Sequence, residues 1–158
     1  MDVTSASAEI RSLCPDAVVL NADARDKNDV FDLAVTELQR VQHVDPARAL
    51  RALWRREQAG STAIGRGIAI PHARVTGLAA PVSVLIRTRS PIPFEAPDHR
   101  PVYLALVILV PEDGDPEAHL QLLAEVVTLL GDRAFRDRLT SASDVRSVLR
   151  AFVERSPS

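Results

Sequence analysis

The stretch Val102-Tyr-Leu-Ala-Leu-Val-Ile-Leu-Val110 is nearly continuous in apolar residues, most of them branched. Such a run is typical of a strand buried on both faces, because a strand with one face in solvent alternates apolar and polar residues. The run is also far too short to span a bilayer, which needs about 20 residues. We therefore predict that it forms the centre of a β-sheet.

Shorter strands and a long loop are predicted around this run. Proline cannot donate to a sheet ladder, so Pro71 ends the strand before it. Ser90–Pro101 holds four prolines and is predicted to be mostly loop, with an edge strand around Pro93–Glu95. The three other predicted strands are Ala17–Leu20, Gly67–Ile70 and Val82–Thr88.

Amphipathic helices are predicted on either side of the strands. Apolar residues recur at helical spacing over Asp26–Gln42. Asp45-Pro46 and Asp115-Pro116 each begin a helix, because an acidic N-cap accepts from a free backbone N–H and proline has no N–H to lose at the first helical position. Gly60 and Gly131 are placed to end these two helices.

The remaining predicted helices lie near the chain ends. Ser7–Leu13 and Asp132–Leu139 are short, and Ser143 is predicted to cap a last helix. The helix after Asp115 is predicted to bury Leu120, Leu123, Val126, Val127 and Leu130. The last helix is predicted to bury Val145, Val148, Leu149 and Phe152. The order of helices, strands and helices predicts a mixed sheet covered on both faces.

Length and composition predict one soluble domain. The chain has 158 residues, 25% of them charged, and a formal charge of −2. Without a basic block, nucleic acid is not an expected partner. The N-terminus lacks a signal peptide's basic and apolar regions, and Cys14 has no second cysteine to pair with, so we expect a cytoplasmic protein that is at most peripheral to a membrane.

The candidate chemistry centres on Gly60–Arg74, which reads Gly-Ser-Thr-Ala-Ile-Gly-Arg-Gly-Ile-Ala-Ile-Pro-His-Ala-Arg. His72 follows an apolar strand at a proline turn, and His119 lies near a helix start, where free N–H groups favour an anion. Each could equally be a polar residue with no chemical role. The four histidines lack the close spacing of a metal motif, so neither a metal nor another cofactor is expected.

Together the two histidines suggest phosphoryl chemistry. A neutral imidazole is a nucleophile near physiological pH, and a phosphoryl group on its nitrogen can be passed on. We predict that His72 is the acceptor and that His119 donates a hydrogen bond to the phosphoryl oxygens. The Ser61 and Thr62 hydroxyls could do the same, and Arg56 could screen the charge.

The residues Arg56-Glu57, Gly60-Ser61-Thr62 and above all Gly67-Ile-Ala-Ile-Pro-His-Ala-Arg74 resemble the signature of fructose/mannitol-type EIIA domains of the bacterial sugar phosphotransferase system. The resemblance continues to His119-Leu120 and covers nearly the whole chain. It implies a three-layer α/β/α sandwich with a small mixed sheet, formed by one domain over residues 1–158 in which 1–15 and 155–158 are peripheral.

The resemblance also assigns roles. His72 would accept a phosphoryl group on Nε2 from an HPr-type phosphocarrier, with its Nδ1–H held by an acceptor, while His119 and Arg56 assist. Cys14-Pro15 does not resemble an EIIB phosphocysteine loop, and the chain is most similar to the free-standing, nitrogen-regulatory members. It departs from the usual pattern at Ala63, where glycine is usual, and at Tyr103, where an acidic residue is common.

Two further functions remain open beside that of a simple phosphocarrier. A regulatory module would dock on a target such as a sensor kinase or a potassium transporter, with the phosphoryl group switching the docking. A sugar-specific EIIA would instead pass the phosphoryl group to a separate EIIB during sugar uptake.

Overall fold

The computed structural model describes residues 13–155. The predicted helix Ser7–Leu13 lies outside this range except for Leu13, which is buried. The strands are β1 Ala17–Ala22, β2 Ala63–Gly65, β3 Ile68–Ala69, β4 His72–Val75, β5 Val82–Ile92 and β6 Val102–Pro111. The helices are α1 Lys27–Gln42, α2 Pro46–Gln58, α3 Pro116–Gly131, α4 Arg133–Ser141 and α5 Val145–Glu154.

The six strands form one mixed sheet in the order β1-β5-β6-β3-β2, with β4 also paired to β6. Strand β6 is antiparallel to β5 and parallel to both β3 and β4. It therefore has neighbours along both edges, as the prediction of a central strand requires. The prediction of a mixed sheet is confirmed.

Side chains of β6 pack in two separate hydrophobic cores. Ala105, Val107 and Leu109 pack in the cluster that contains the buried faces of α1 and α2. Leu104, Leu106 and Ile108 pack in the cluster that contains those of α3, α4 and α5. Because successive side chains of a strand point to opposite faces, the sheet lies between two helical layers. The predicted α/β/α sandwich is confirmed.

The predicted helix starts are confirmed at their caps. The side chains of Asp26, Asp45 and Asp115 each accept a hydrogen bond from a backbone N–H in the first turn of α1, α2 and α3. The last helix differs, because Asp144 and not Ser143 is its N-cap and accepts from the N–H of Ser147. The ionised carboxylate of Asp144 also interacts favourably with the positive end of the helix dipole.

The strand predictions need correction at four places, one of which is the unpredicted strand β2 at Ala63–Gly65. Strand β5 continues to Ile92, and Pro93–Glu95 is not a strand. Strand β4 was not predicted, because proline was taken to end the strand before it. The chain instead resumes pairing at His72, in parallel with β6, immediately after Pro71.

The inward face of α3 also differs from the prediction. Val126 and Leu130 are buried, but Leu120 is 66% exposed and Val127 is 43% exposed. Val145, at the start of α5, is 41% exposed. The sheet covers only one narrow stripe of α3, so part of its apolar surface faces solvent. Among residues 13–155, no helix is long and apolar enough to cross a membrane.

Candidate functional site

His72 is fixed by main-chain contacts on both sides. The N–H of Ile108 donates to the Pro71 carbonyl over 2.9 Å, which starts the pairing of β4 with β6. The imidazole Nδ1 lies 2.8 Å from the carbonyl oxygen of Ile70. Since a carbonyl oxygen can only accept, Nδ1 carries the proton of this hydrogen bond, and in the neutral ring Nε2 keeps its lone pair.

His119 lies in the first turn of α3, which Asp115 caps and Pro116 begins. The ring centroids of His72 and His119 are 5.8 Å apart and their planes are inclined by 51°. Within the described residues, His119 Nδ1 is buried and has no hydrogen-bond partner. The fold thus brings together the two histidines that the sequence analysis singled out.

The pKa values of both imidazoles are lowered, which favours the neutral form of each ring. Burial lowers the pKa of His72, its hydrogen bond to Ile70 raises it, and the nearby charge of Arg56 lowers it further. For His119, burial lowers the pKa first, and the charges of His72 and Arg74 act in the same direction. A neutral imidazole is the nucleophilic form, so the site favours attack by a ring nitrogen.

Arg56 lies in the last turn of α2 and is half-buried. Its Nη1 donates to the carbonyl oxygen of Gly60 over 2.8 Å. This bond ties the guanidinium to the glycine-rich stretch that leads to His72. The positive charge of Arg56 is also one of the causes that lower the pKa of His72.

The hydroxyl groups of Ser61 and Thr62 already have acceptors. Ser61 Oγ donates to the carbonyl oxygen of Phe94 over 2.5 Å. Thr62 is buried, and its Oγ1 lies 2.8 Å from Oε2 of Glu57. Contact of these hydroxyls with a phosphoryl group requires them to rotate, so that role stays a prediction. In this structure they hold the loop between α2 and β2.

Glu57 belongs to the signature quoted above, but the sequence analysis gave it no role. It is buried at the end of α2, where its carboxylate accepts from the N–H and hydroxyl of Thr62 and pairs with Lys27 Nζ at 3.2 Å. Glu57 follows Leu53 by four residues, as Leu53 follows Ala49, so it continues the buried face of the helix. A carboxylate on an apolar helix face is the signal that could have identified it.

Tyr103 and Ala63, the two departures from the usual family pattern, both pack against neighbouring residues of the fold. Gly67 has a φ of +80°, and a Cβ added there would overlap the Tyr103 ring. Tyr103 thus occupies the space that this glycine leaves open. Ala63 is buried in β2. Among residues 13–155, no cluster of three or more histidine, cysteine or carboxylate side chains could hold a metal ion.

Comparisons with known proteins agree with this architecture. The family model described as "Phosphoenolpyruvate-dependent sugar phosphotransferase system, EIIA 2" matches residues 12–154. A "Nitrogen regulatory protein" of Pseudomonas aeruginosa is 34% identical over 143 residues, which are 90% of this chain and 92% of that protein. A "PTS system fructose-specific EIIA component" of Haloferax volcanii is 37% identical over 119 residues, 75% of each chain.

A solved structure is similar along most of its length. The crystal structure of nitrogen regulatory protein IIA-Ntr from Neisseria meningitidis has a TM-score of 0.79 and 31% sequence identity, and the match covers 87% of this chain and 92% of that one. Sequence, fold and the paired histidines lead to the same conclusion. This chain belongs to the EIIA 2 family of the phosphoenolpyruvate-dependent sugar phosphotransferase system.

Proposed function

We propose that His72 Nε2 accepts a phosphoryl group from an HPr-type phosphocarrier and that the chain acts mainly as a regulator switched by this modification. The observation that carries the proposal is the hydrogen bond from His72 Nδ1 to the Ile70 carbonyl. It fixes the tautomer and leaves Nε2 as the nucleophile.

The transfer is a displacement at phosphorus. The lone pair of Nε2 forms the new N–P bond, and the bond between phosphorus and the donor's nitrogen breaks with its electron pair returning to the donor. Arg56 screens the charge of the phosphoryl oxygens.

His119 is proposed to stabilise the transferred group. Its Nδ1 is buried without an acceptor, so a proton placed there would leave a buried N–H unpaired. The ring therefore prefers its proton on Nε2, which can then donate to a phosphoryl oxygen. Ser61 and Thr62 are proposed to assist through the loop that they hold beside the site.

A docking surface for the phosphocarrier adjoins His119. Leu120 follows it directly, and Val127 lies two turns further along the exposed side of α3. Exposed apolar side chains of this kind are what a protein partner buries. Phosphorylation would add about two negative charges beside this surface and so change which partners dock.

Regulation is favoured over sugar uptake by the nitrogen-regulatory proteins of Pseudomonas aeruginosa and Neisseria meningitidis, each of which matches this chain along about nine tenths of its own length. The regulated target is proposed to be a protein such as a sensor kinase or a potassium transporter. The alternative, a sugar-specific EIIA that serves a separate EIIB, has support from the fructose-specific relative.

Labelling with phosphoenolpyruvate, Enzyme I and an HPr-type carrier tests the acceptor. The His72→Ala variant should take up no phosphoryl group, and His119→Ala should label more slowly. His43→Ala is the matched control, because His43 is exposed at the end of α1. Normal labelling of His72→Ala would overturn the assignment.

Pull-down with the unmodified and phosphorylated forms separates regulation from sugar uptake. A regulator should retain a target in only one of the two forms. Stable transfer to a separate EIIB, with no target sensitive to the modification, would favour the sugar-specific alternative.

A further inference from the structure

A cavity of about 320 Å³ lies where β4 and β6 end and α3 begins. Its walls are mostly apolar and include Pro81, Val110, Ala118 and Leu122. This volume falls at the small end of the range of small-molecule pockets. His72, Arg56, Ser61 and Thr62 do not line it, so the cavity adjoins the phosphoryl site without being part of it.

Arg74 supplies the positive charge of the cavity. It follows His72 by two residues along β4, so the two side chains point to the same face of the sheet. Its guanidinium is exposed and makes no hydrogen bond or ion pair with any residue between 13 and 155. His119 also lines the cavity, near enough to Arg74 for the two to interact electrostatically.

Two carboxylates, those of Asp115 and Glu125, also line the cavity. Asp115 accepts from the N–H of Glu117 as the cap of α3. Glu125 interacts electrostatically with Arg155. Their negative charges repel any anion, and because the repulsion grows with the charge of the ligand they oppose a multiply charged anion most strongly. The cavity therefore suits a ligand with one negative charge and an apolar body.

We propose that this cavity binds a small organic monoanion whose carboxylate pairs with Arg74 and whose apolar body packs on Val110, Ala118 and Leu122. A guanidinium matches a carboxylate with two parallel hydrogen bonds. The apolar walls favour a hydrocarbon body because its transfer from water is favourable. No residue of the proposed phosphoryl machinery except His119 takes part.

An occupant would also influence the neighbouring site, because His119 borders both. Binding would place a negative charge near His119 and restrict the movement of its ring. The rate at which His72 accepts a phosphoryl group should then depend on the ligand. This consequence rests on the proposed function, whereas binding itself does not.

Amide NMR of the full chain, titrated with isocaproate, tests the binding site. We expect saturable shifts at Ala118 and Leu122, and an affinity about tenfold lower for Arg74→Gln. The matched control is Arg55→Gln, an exposed arginine on α2. The neutral isostere isocaproamide should also bind about tenfold more weakly than isocaproate.

A second variant tests the apolar part of the site. Ala118→Met fills the cavity from an exposed position on α3 and should abolish the saturable shifts. Absence of saturable shifts in the unmodified chain would overturn the proposal, as would equal affinity in Arg74→Gln. Displacement of isocaproate by inorganic phosphate at similar concentration would overturn the assignment to a monoanion.

Discussion

Replacing Glu57 with glutamine would remove a charge that the fold has buried. The Glu57 side chain is 2% exposed, and its carboxylate faces three donors: the N–H and hydroxyl of Thr62 and the Lys27 ammonium. Glutamine has nearly the same shape but turns one acceptor into an NH₂ donor. At least one of the three donors then faces another donor.

The magnitude follows from the groups left without a partner. Breaking a buried ion pair costs about 3–5 kcal/mol. Lys27 keeps a second carboxylate, Glu95 at 3.9 Å, but that side chain is 84% exposed and compensates little. We expect the free energy of unfolding to fall by about 3 kcal/mol, which lowers the Tm of a chain of this size by about 6–12 °C.

Urea and thermal unfolding followed by circular dichroism measure this change, with Glu112→Gln as an exposed control. A double-mutant cycle with Lys27→Met should show that the two effects are not additive, because the residues share one ion pair. Labelling of His72 should also slow, since the Thr62 loop loses its anchor. A Glu57→Gln variant within about 0.5 kcal/mol of the parent would refute this reasoning.

Three further predictions concern other contacts. Gly67→Ala should lower the free energy of unfolding by about 2 kcal/mol in urea, because of its positive φ and the overlap with Tyr103, and a neutral effect would contradict the packing described. Burial and the charge of Arg56 lower the pKa of His72, so an NMR titration should find that this ring stays neutral at pH values where an ordinary imidazole is protonated. Arg56→Gln should raise the pKa of His72, and a lower pKa in that variant would contradict the geometry. Phosphorylation should accordingly persist as the pH falls through about 6.5. The stability linked to this shift is fully present above about 6.5 and is lost as the pH falls from there to the lowered pKa. Arg87→Gln should lower the free energy of unfolding in urea by about 2 kcal/mol, because Nη1 of Arg87 donates to three carbonyl groups at the end of α4 over 2.7–3.2 Å. An unchanged midpoint of urea unfolding would show that these bonds contribute nothing.

The features predictable from sequence are those with a local cause. The run Val102–Val110 is apolar on both alternating faces, so its central position follows from the sequence itself. Asp45-Pro46 and Asp115-Pro116 define helix starts through neighbouring atoms alone. Turn and helix-start signals single out His72 and His119, but their assignment to a site rests on the resemblance of Gly67–Arg74 and His119-Leu120 to the EIIA signature.

The features missed depend on contacts between distant segments. Strand β4 exists because β6 offers a free edge beside His72, which local propensity cannot reveal. The burial of Glu57 depends on Lys27, thirty residues earlier in the chain. Leu120 and Val127 are apolar but exposed. The prediction buried them because helical periodicity identifies the apolar face of a helix but not how much of that face the sheet covers.

The acceptor that orients the His72 ring belongs to the backbone of Ile70, two residues earlier. No side-chain substitution at that position removes the carbonyl oxygen, so an alanine scan would overlook the group that selects the tautomer. Only a change in the path of the main chain through Pro71 could release the ring. A loop that reproduced this path in another protein would therefore present Nε2 of its histidine without needing a carboxylate partner.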